Sequence, residues 1–332
     1  MDKIELVKRN IEEILVEDEL KKLMTKKNPR IYCGYEVSGP VHLGTWSNIR
    51  KLIDFQKAGM KVVVLLADYH TWLNLKGERE WIGDMVDYWK NTFIACGLDP
   101  KKTEFVLGSS FQTKKEYLDD VLTLAINTTI QRALRSMQGV ARNVKNAHVS
   151  QIIYPLMQIT DIKHLKVDAA LGGMEQRKIH ALGREVIGKI DWKKPVCLHN
   201  ELLVSLKGPE VKMSSSKPET MILLHEDPKE IEKIIGKSFC PAKKVNENPI
   251  FQIIKLHIFP EYDKFELKRD KKFGGDLSFK TLDKLEKSYE KGEIHPLDLK
   301  KAVAKYLIEM LEPIRKYFKK NSKYLKPLKA IK

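Results

Sequence analysis

Two short stretches carry residue types able to handle phosphate. In "IYCGYEVSGPVHLGTW", residues 31–46, an apolar run breaks at Gly34, turns through Ser38 and Gly39, and delivers His42-Leu43-Gly44 to the start of a helix. A histidine beside a glycine at a helix N-terminus suits an oxyanion, because backbone N–H groups point outward there and glycine lets a ligand come close. In "VKMSSSKPE", residues 211–219, Lys212, Met213, Ser214 and Ser215 put a cation beside hydroxyl donors, although the same composition also suits a linker. Neither G-x-x-x-x-G-K-[ST] nor G-x-G-x-x-G occurs in the chain, so the two commonest phosphate fingerprints are excluded. A third feature is Asp161 within "MQITDIKHL": an acid amid apolar neighbours needs a hydrogen-bonding partner.

The elements that must position these residues alternate. Residues 3–24 repeat apolar positions at helical spacing and predict an amphipathic leader helix, bounded at about 1–28. "IYCG", "KVVVLLAD", "EFVLG", "KVDAALGG" and "KPVCLHN" read as strands, the second apolar throughout as in a strand covered on both faces. Helices separate them, among them a long one with Leu118, Val121, Leu122, Ala125, Ile126, Ile130, Ala133, Leu134 and Met137 on one face. The order predicts an α/β fold with a doubly wound parallel sheet of Rossmann type, whose ligands sit beyond the carboxyl ends of the strands. Gly34, Asp68 and Gly108 each follow a predicted strand and fall on that edge.

The pattern predicts a Rossmann-type domain over 1–225, with a helical insertion at about 110–150 and the serine-rich loop at 205–220. From about 226 the chain turns charged and helical, predicting a second, mostly helical domain over 226–332. There Asp227 is the expected N-cap, Pro228 the first helical residue, and Glu230 the closing member of a capping box.

The 332 residues hold 60 Lys and Arg against 44 Asp and Glu, a net charge of +16. The last twenty residues contribute eight cations and no acid, interleaved with Tyr317, Phe318 and Tyr324. Such a basic tail suits RNA and equally suits the solvated end of a helix. Cys33, Cys96, Cys197 and Cys240 show no C-x-x-C spacing, which argues against a zinc knuckle or a disulfide framework. No apolar run approaches the ~18 residues of a membrane span. A reduced, cytoplasmic protein is expected.

Taken together, His42-Leu43-Gly44 after the first strand and Lys212-Met213-Ser214-Ser215 after the last resemble the paired ATP signatures of class I aminoacyl-tRNA synthetases. "YPLMQITDIKHLKVDAALGGMEQRKIH", residues 154–180, resembles the amino-acid pocket of the tyrosyl-tRNA synthetases of archaeal and eukaryotic type. The resemblance covers nearly the whole chain, to about Arg315. It implies activation of tyrosine by ATP with Mg²⁺, transfer to tRNA(Tyr), a homodimer, an anticodon-binding second domain and no resident metal. It implies that Tyr32 and Asp161 meet the substrate hydroxyl, that Tyr154, Gln158 and Gln176 meet its ammonium group, and that Glu36, His70 and Gln112 line the same cavity. Arg132, Arg135, Arg177 and Lys178 resemble positions at the first base pair of the acceptor stem. In "KFGGD" and "IHPLDLK", Phe273 resembles a ring stacked on the first anticodon base and Asp298 an acceptor on its Watson–Crick edge, with His295 and Pro296 shaping the helix start. Two departures stand out: Thr45 ends the His-x-Gly-His type signature, and Pro218 follows the serine loop where glycine is frequent. A tryptophanyl-tRNA synthetase and a synthetase-like RNA-binding protein without aminoacylation are the alternatives. The Tyr32 and Asp161 pair weighs against the first; intact Lys212, Ser214, Ser215, Gln158 and Gln176 weigh against the second.

Overall fold

The computed structural model describes residues 2–141, 146–211 and 218–331. Lys212, Met213, Ser214 and Ser215 lie outside the described residues. The chain divides into two compact units, and neither is one stretch of sequence, so a single cut near 225 does not describe them. The first holds the residues up to Gly39, Asn48–Glu201 and Tyr324–Ile331; the second holds Pro40–Ser47 and Leu202–Lys323.

The first unit begins with α1 (Lys3–Lys8), β1 (Ile11–Leu15), α2 (Glu17–Met24) and β2 (Arg30–Tyr35). It continues through the body of α3 (Leu43–Lys57), β3 (Lys61–Leu66), α4 (Asp68–Leu73), α5 (Arg79–Ala95) and β4 (Thr103–Leu107). After these come α6 (Lys115–Ile126), α7 (Ile130–Ser136), α8 (Val149–His164), β5 (Ala169–Gly173), α9 (Arg177–Val186) and β6 (Val196–Asn200). The six-stranded sheet runs β1-β6-β5-β2-β3-β4. Five strands are parallel, and β1 joins β6 antiparallel at the edge. Chain order reverses between β2 and β5, so the crevice beyond their carboxyl ends is where a sheet of this kind opens for a ligand.

The leader helix is a correction. Asn10 and Val16 both take positive φ, and between them Ile11–Leu15 is extended and paired with β6. Edge pairing overrides the helical spacing of the apolar residues, because a β-branched isoleucine at each of two positions also suits a strand. The long helix over 118–137 is corrected too. Thr129 caps a new start by accepting from the Arg132 N–H, so α6 and α7 are separate. Val121, Leu124, Ala133 and Met137 are buried, whereas Leu118, Leu122, Ile126 and Ile130 are exposed. One stripe read from sequence is therefore two faces. Gly34 lies inside β2 rather than after it, while Asp68 and Gly108 do follow β3 and β4. The Asp68 carboxylate accepts from the Ser109 N–H at 2.9 Å and ties those two strand ends together.

The second unit contains α10 (Pro228–Gly236), α11 (Pro249–Ile253), the antiparallel pair β7 (Phe265–Leu267) and β8 (Leu277–Phe279), α12 (Leu282–Glu290) and α13 (Pro296–Lys320). Asp227 caps α10 through the Lys229 N–H. Glu230 closes no capping box; it pairs with Lys233 one turn on. Beyond α13, residues Ser322–Ala330 form 3₁₀ turns. The Trp81 indole N–H donates to the Pro327 carbonyl at 3.1 Å, so the basic end of the chain is anchored on the first unit. Among the described residues, no helix is long and apolar enough to cross a membrane.

Candidate active site

The first unit gathers a buried polar cluster from β2, α4, α6 and α8. Asp161, on α8, is fully buried. Its Oδ1 accepts from Gln112 Nε2 at 2.8 Å and from the Tyr117 hydroxyl at 2.8 Å. Burial pushes its carboxyl up to about 7, against the pull of those two hydrogen bonds. His70, on α4, sits with Nε2 3.6 Å from Asp161 Oδ2, too far for a hydrogen bond. Burial lowers the His70 imidazole to about 4, so it is neutral. Gln112 Nε2 lies 3.3 Å from His70 Nδ1; if the amide donates there, the ring proton resides on Nε2. Among the described residues, Asp161 Oδ2, His70 Nε2 and Gln112 Oε1 are buried with no hydrogen-bond partner.

Tyr32, on β2, is also buried, and its hydroxyl reaches the Gln158 carbonyl only at a long 3.4 Å. Burial and then the nearby Asp161 charge hold its phenol well above the ordinary range. Tyr154 meets His70 edge to face at 4.6 Å. Its own phenol is raised by burial and by Glu36. Glu36 is in turn held by Asn74 at 2.8 Å and by Lys76. Gln158 Nε2 donates to Gln176 Oε1 at 3.1 Å.

Two glycines make room for this set. A Cβ on Gly172 would lie 2.7 Å from Gln176 Cβ, and one on Gly108 would lie 2.6 Å from Gln112 Oε1. Tyr32, Gln112, His70, Tyr154, Gln158, Asp161 and Gln176 are thus linked by contacts, with Glu36 beside Tyr154.

In the second unit, residues 41–43 and 222–224 exchange backbone hydrogen bonds, Leu43 N–H to Ile222 O at 3.0 Å and Leu224 N–H to Val41 O at 3.1 Å. This bridge fixes His42, whose Nδ1 accepts from the Gly44 N–H at 3.2 Å. Accepting there places the ring proton on Nε2, and burial lowers the imidazole to about 4. His42 is consequently a neutral donor. A π-helical turn, Ile254–Ile258, sets the buried His257 against the start of α3, stacked on Trp46 at 4.8 Å and 3.2 Å from Ser47 Oγ. Such turns recur at functional sites.

The four cations from α7 and α9 are exposed, and the two helices meet where the end of α7 abuts the Met174–Gln176 turn. A Cβ on Gly139 would strike the Glu175 carbonyl at 2.7 Å. Arg132 pairs with Glu185, Lys178 with Gln138 and Arg177 with Glu13; Arg135 stays exposed on the outer face of α7. In the second unit Phe273 is exposed before Gly274 and Gly275, both at positive φ. Arg269 donates to the Gly275 carbonyl and to the Glu293 carbonyl, each at 2.7 Å, which binds the Phe273 loop to the turn before α13. His295 caps α13 through the Leu297 N–H, and Asp298 lies in its first turn. A groove of about 560 Å³ between α10 and α13, lined by Lys305, Arg315, Lys316 and Lys319 with Glu309 and Glu312, offers charge but no reactive grouping.

Sequence reasoning missed Tyr117, Asn74, Lys76, His257 and Arg269. Tyr117 had a signal: it opens the buried series Tyr117, Val121, Leu124, one residue before the apolar stripe was taken to begin. The others had none: Asn74, Lys76 and His257 act through contacts distant in sequence, and Arg269 joins backbone carbonyls of Gly275 and Glu293.

With the geometry in place, the comparisons are specific. The family described as tRNA synthetases class I (W and Y) matches residues 24–312. A tyrosine–tRNA ligase of Archaeoglobus fulgidus is 49% identical over 95% of this chain and 97% of its own. One from Methanocaldococcus jannaschii is 48% identical over 95% and 99%. The crystal structure of an A. fulgidus tyrosyl-tRNA synthetase complexed with L-tyrosine superposes with a TM-score of 0.91, covering 95% of this chain and 98% of that one at 49% identity. A Pyrococcus horikoshii tyrosyl-tRNA synthetase, also complexed with L-tyrosine, gives 0.92 at 37% identity over 100% of both. A chain that matches this family over most of its length, and archaeal tyrosine–tRNA ligases over nearly all of it, belongs to the class I tRNA synthetases, in the archaeal tyrosyl branch.

Proposed function

We propose that this chain joins tyrosine to ATP, releasing pyrophosphate, and then transfers the tyrosyl group to the 3′ end of tRNA(Tyr). One observation carries the choice of amino acid: among the described residues, Asp161 Oδ2 and His70 Nε2 are buried without partners, and the hydroxyl of Tyr32 has only a long bond. A phenol hydroxyl is both donor and acceptor. It donates to Asp161 and accepts from Tyr32 or His70, so tyrosine satisfies what phenylalanine leaves unpaired. Gln158, Gln176 and Tyr154 hold the ammonium group, with Glu36 and Lys76 fixing Tyr154.

In the first step the tyrosine carboxylate attacks the α-phosphorus of ATP, the P–O bond to the β-phosphate breaks, and pyrophosphate leaves. No group need remove a proton, so catalysis consists of positioning and charge stabilisation. His42 donates through Nε2 to a phosphate oxygen, and Gly44 keeps the approach open. Lys212, with Met213, Ser214 and Ser215, meets the departing pyrophosphate. ATP arrives as its Mg²⁺ complex. In the second step the terminal ribose hydroxyl of the tRNA attacks the tyrosyl carbonyl, and AMP leaves.

Arg132, Arg135, Arg177 and Lys178 meet the end of the acceptor stem. Phe273 stacks on the first anticodon base, and Asp298, set by His295, accepts from its edge. The exposed side chains of Leu118, Leu122, Ile126 and Ile130 support a second copy of this chain as the partner for α6 and α7, giving a homodimer. With tRNA and ATP as substrates, the cytoplasm is its place of work.

The test is exchange of labelled pyrophosphate into ATP, run with each of the twenty amino acids. Tyrosine should support it, with phenylalanine lower by roughly 10⁴ to 10⁵ in specificity, because a site built for a hydroxyl penalises its absence. Preference for tryptophan, or exchange with no amino acid, would overturn the reading.

A further inference from the structure

The edge strand β1 carries an acid that the mechanism above does not use. Glu13 accepts from Arg177 Nε with both carboxylate oxygens, each at 2.8 Å. Glu13 Oε2 also lies 3.0 Å from His199 Nδ1, and His199 Nε2 lies 2.9 Å from His180 Nδ1. Both imidazoles are buried. Burial lowers His180 to about 3 and lowers His199 as well, so both rings are neutral. The carboxylate can only accept, which assigns a proton to His199 Nδ1; His199 Nε2 then accepts from His180 Nδ1. Every atom facing Glu13 in this row has one permitted role, and the carboxylate cannot rotate without breaking a bond.

The strand is built to bring Glu13 there. The β1–β6 ladder pairs Ile11 with Asn200 but Glu13 with His199, so one extra residue is accommodated between them. A regular ladder would have set Glu13 opposite Leu198. Bulges of this kind re-aim a side chain, and they collect beside active sites. At the far end of the row, His180 Cε1 would lie 3.3 Å from a Cβ on Gly172, the same glycine that makes room for Gln176. Arg177 follows Gln176 directly, so the row ends under the very turn that bears both residues.

Arg177 itself is about half exposed, at 45% for its side chain. Glu13 takes only Nε; among the described residues, Nη1 and Nη2 make no hydrogen bond. An arginine held this way presents two parallel N–H donors in a fixed fork, the arrangement that matches paired acceptors on a guanine edge or a phosphate. An unpaired arginine at the same exposure would have to give up the rotational freedom of a long side chain on binding.

We infer that Glu13 is a positioning residue for the RNA step: by gripping Arg177 at Nε, on a footing of two buried histidines, it presents the guanidinium fork to the end of the acceptor stem. The inference rests on the reading of this chain as a tRNA ligase and adds a residue from the edge strand to it. Glu13 acts through Arg177 and touches neither tyrosine nor ATP.

The experiment compares the full chain with Glu13→Gln, Arg177→Ala and the double variant, in pyrophosphate exchange and in aminoacylation of two tRNA transcripts, the natural one and one with its first base pair inverted. Glu13→Gln keeps the size of the side chain and removes the charge. It should lower kcat/KM for the natural tRNA by about tenfold, leave exchange within about twofold, and narrow the gap between the two transcripts. In the Arg177→Ala background it should add almost nothing, since the two residues act as one unit. Parallel loss of exchange and charging would mean that Glu13 merely holds the strand, and would overturn the inference. So would full additivity in the double variant, or unchanged charging by Glu13→Gln. A parent chain that charges no tRNA at all would instead overturn the ligase reading.

Discussion

The Tyr117 hydroxyl and Gln112 Nε2 both reach Oδ1 of Asp161, each at 2.8 Å, and leave Oδ2 of the same carboxylate bare. Two donors on one oxygen fix the rotation of the group. They also favour its ionised form, opposing in part the upward push of burial.

Tyr117→Phe should therefore change the pH dependence of the enzyme as well as its rate. The lost hydrogen bond had pulled the Asp161 carboxyl down, so its removal moves that group above its present value of about 7. Tyrosine activation that needs the carboxylate should fall on the order of tenfold near neutrality and recover as pH rises. The profile of kcat/KM for tyrosine in pyrophosphate exchange checks this. An acid limb that does not move would remove Tyr117 from the role.

Asp161→Asn should stabilise the protein while spoiling its selectivity. The folded carboxyl ionises near 7 against 3.8 ordinarily, so between those values the native state binds more protons than the unfolded one. Stability consequently declines as pH rises through that window, by an amount on the order of 2–4 kcal/mol for a group so buried. The amide escapes this cost. Thermal unfolding of parent and variant should differ most at about pH 8 and converge below about pH 4, where both side chains are neutral. Buried His70, lowered to about 4, has the opposite slope, but it is present in both proteins and cancels in the difference.

Gly44→Ala tests the phosphate donor. A Cβ there would lie 3.0 Å from His42 Cε1 and 3.2 Å from Nδ1, a tight contact that makes the imidazole give by about a few tenths of an ångström and disturbs its aim. Adenylate formation should drop by roughly 10- to 100-fold, the usual loss when one aligned donor is displaced. Tyrosine affinity, measured by equilibrium dialysis without ATP, should stay at the parent value. Loss of tyrosine binding would show that His42 serves something other than ATP.

Ile126→Asp addresses assembly. Ile126 is 86% exposed and Leu122, one turn earlier, 63%. If a second copy covers them, a carboxylate at the centre of the patch should turn a dimer into a monomer in sedimentation velocity at micromolar concentration. A parent chain that already sediments as a monomer would end the proposal.

Much of the fold was legible because buried parallel strands leave a strong trace: "KVVVLLAD" overruns β3 only by its last two residues. That these strands run parallel followed from alternation with helices; their order across the sheet did not. What failed was the edge. Ile11, Ile14 and Leu15 satisfy a helix pattern and a strand pattern equally, and only the partner strand β6 decides between them. The site divided in the same way. Asp161 betrayed itself as an acid among apolar residues, whereas Lys76 and Asn74 are ordinary surface types until Glu36 is placed beside them. Resemblance pointed to the residues proposed for the pocket; it did not reach Tyr117, which holds the Asp161 side chain.

The bond from Trp81 to the carbonyl of Pro327 spans 246 positions of sequence. A ribosome adds residues at about 5–20 per second, and domains generally fold as they emerge. The six strands of the sheet are all made by Asn200, but the strip that lies against Trp81 is translated only after the entire second unit. The nascent sheet-bearing unit thus waits out the synthesis of more than a hundred residues before the indole N–H gains that carbonyl. That seam closes only once residues 324–331 have emerged, so a ribosome stalled within α13 holds a sheet-bearing unit that still lacks it.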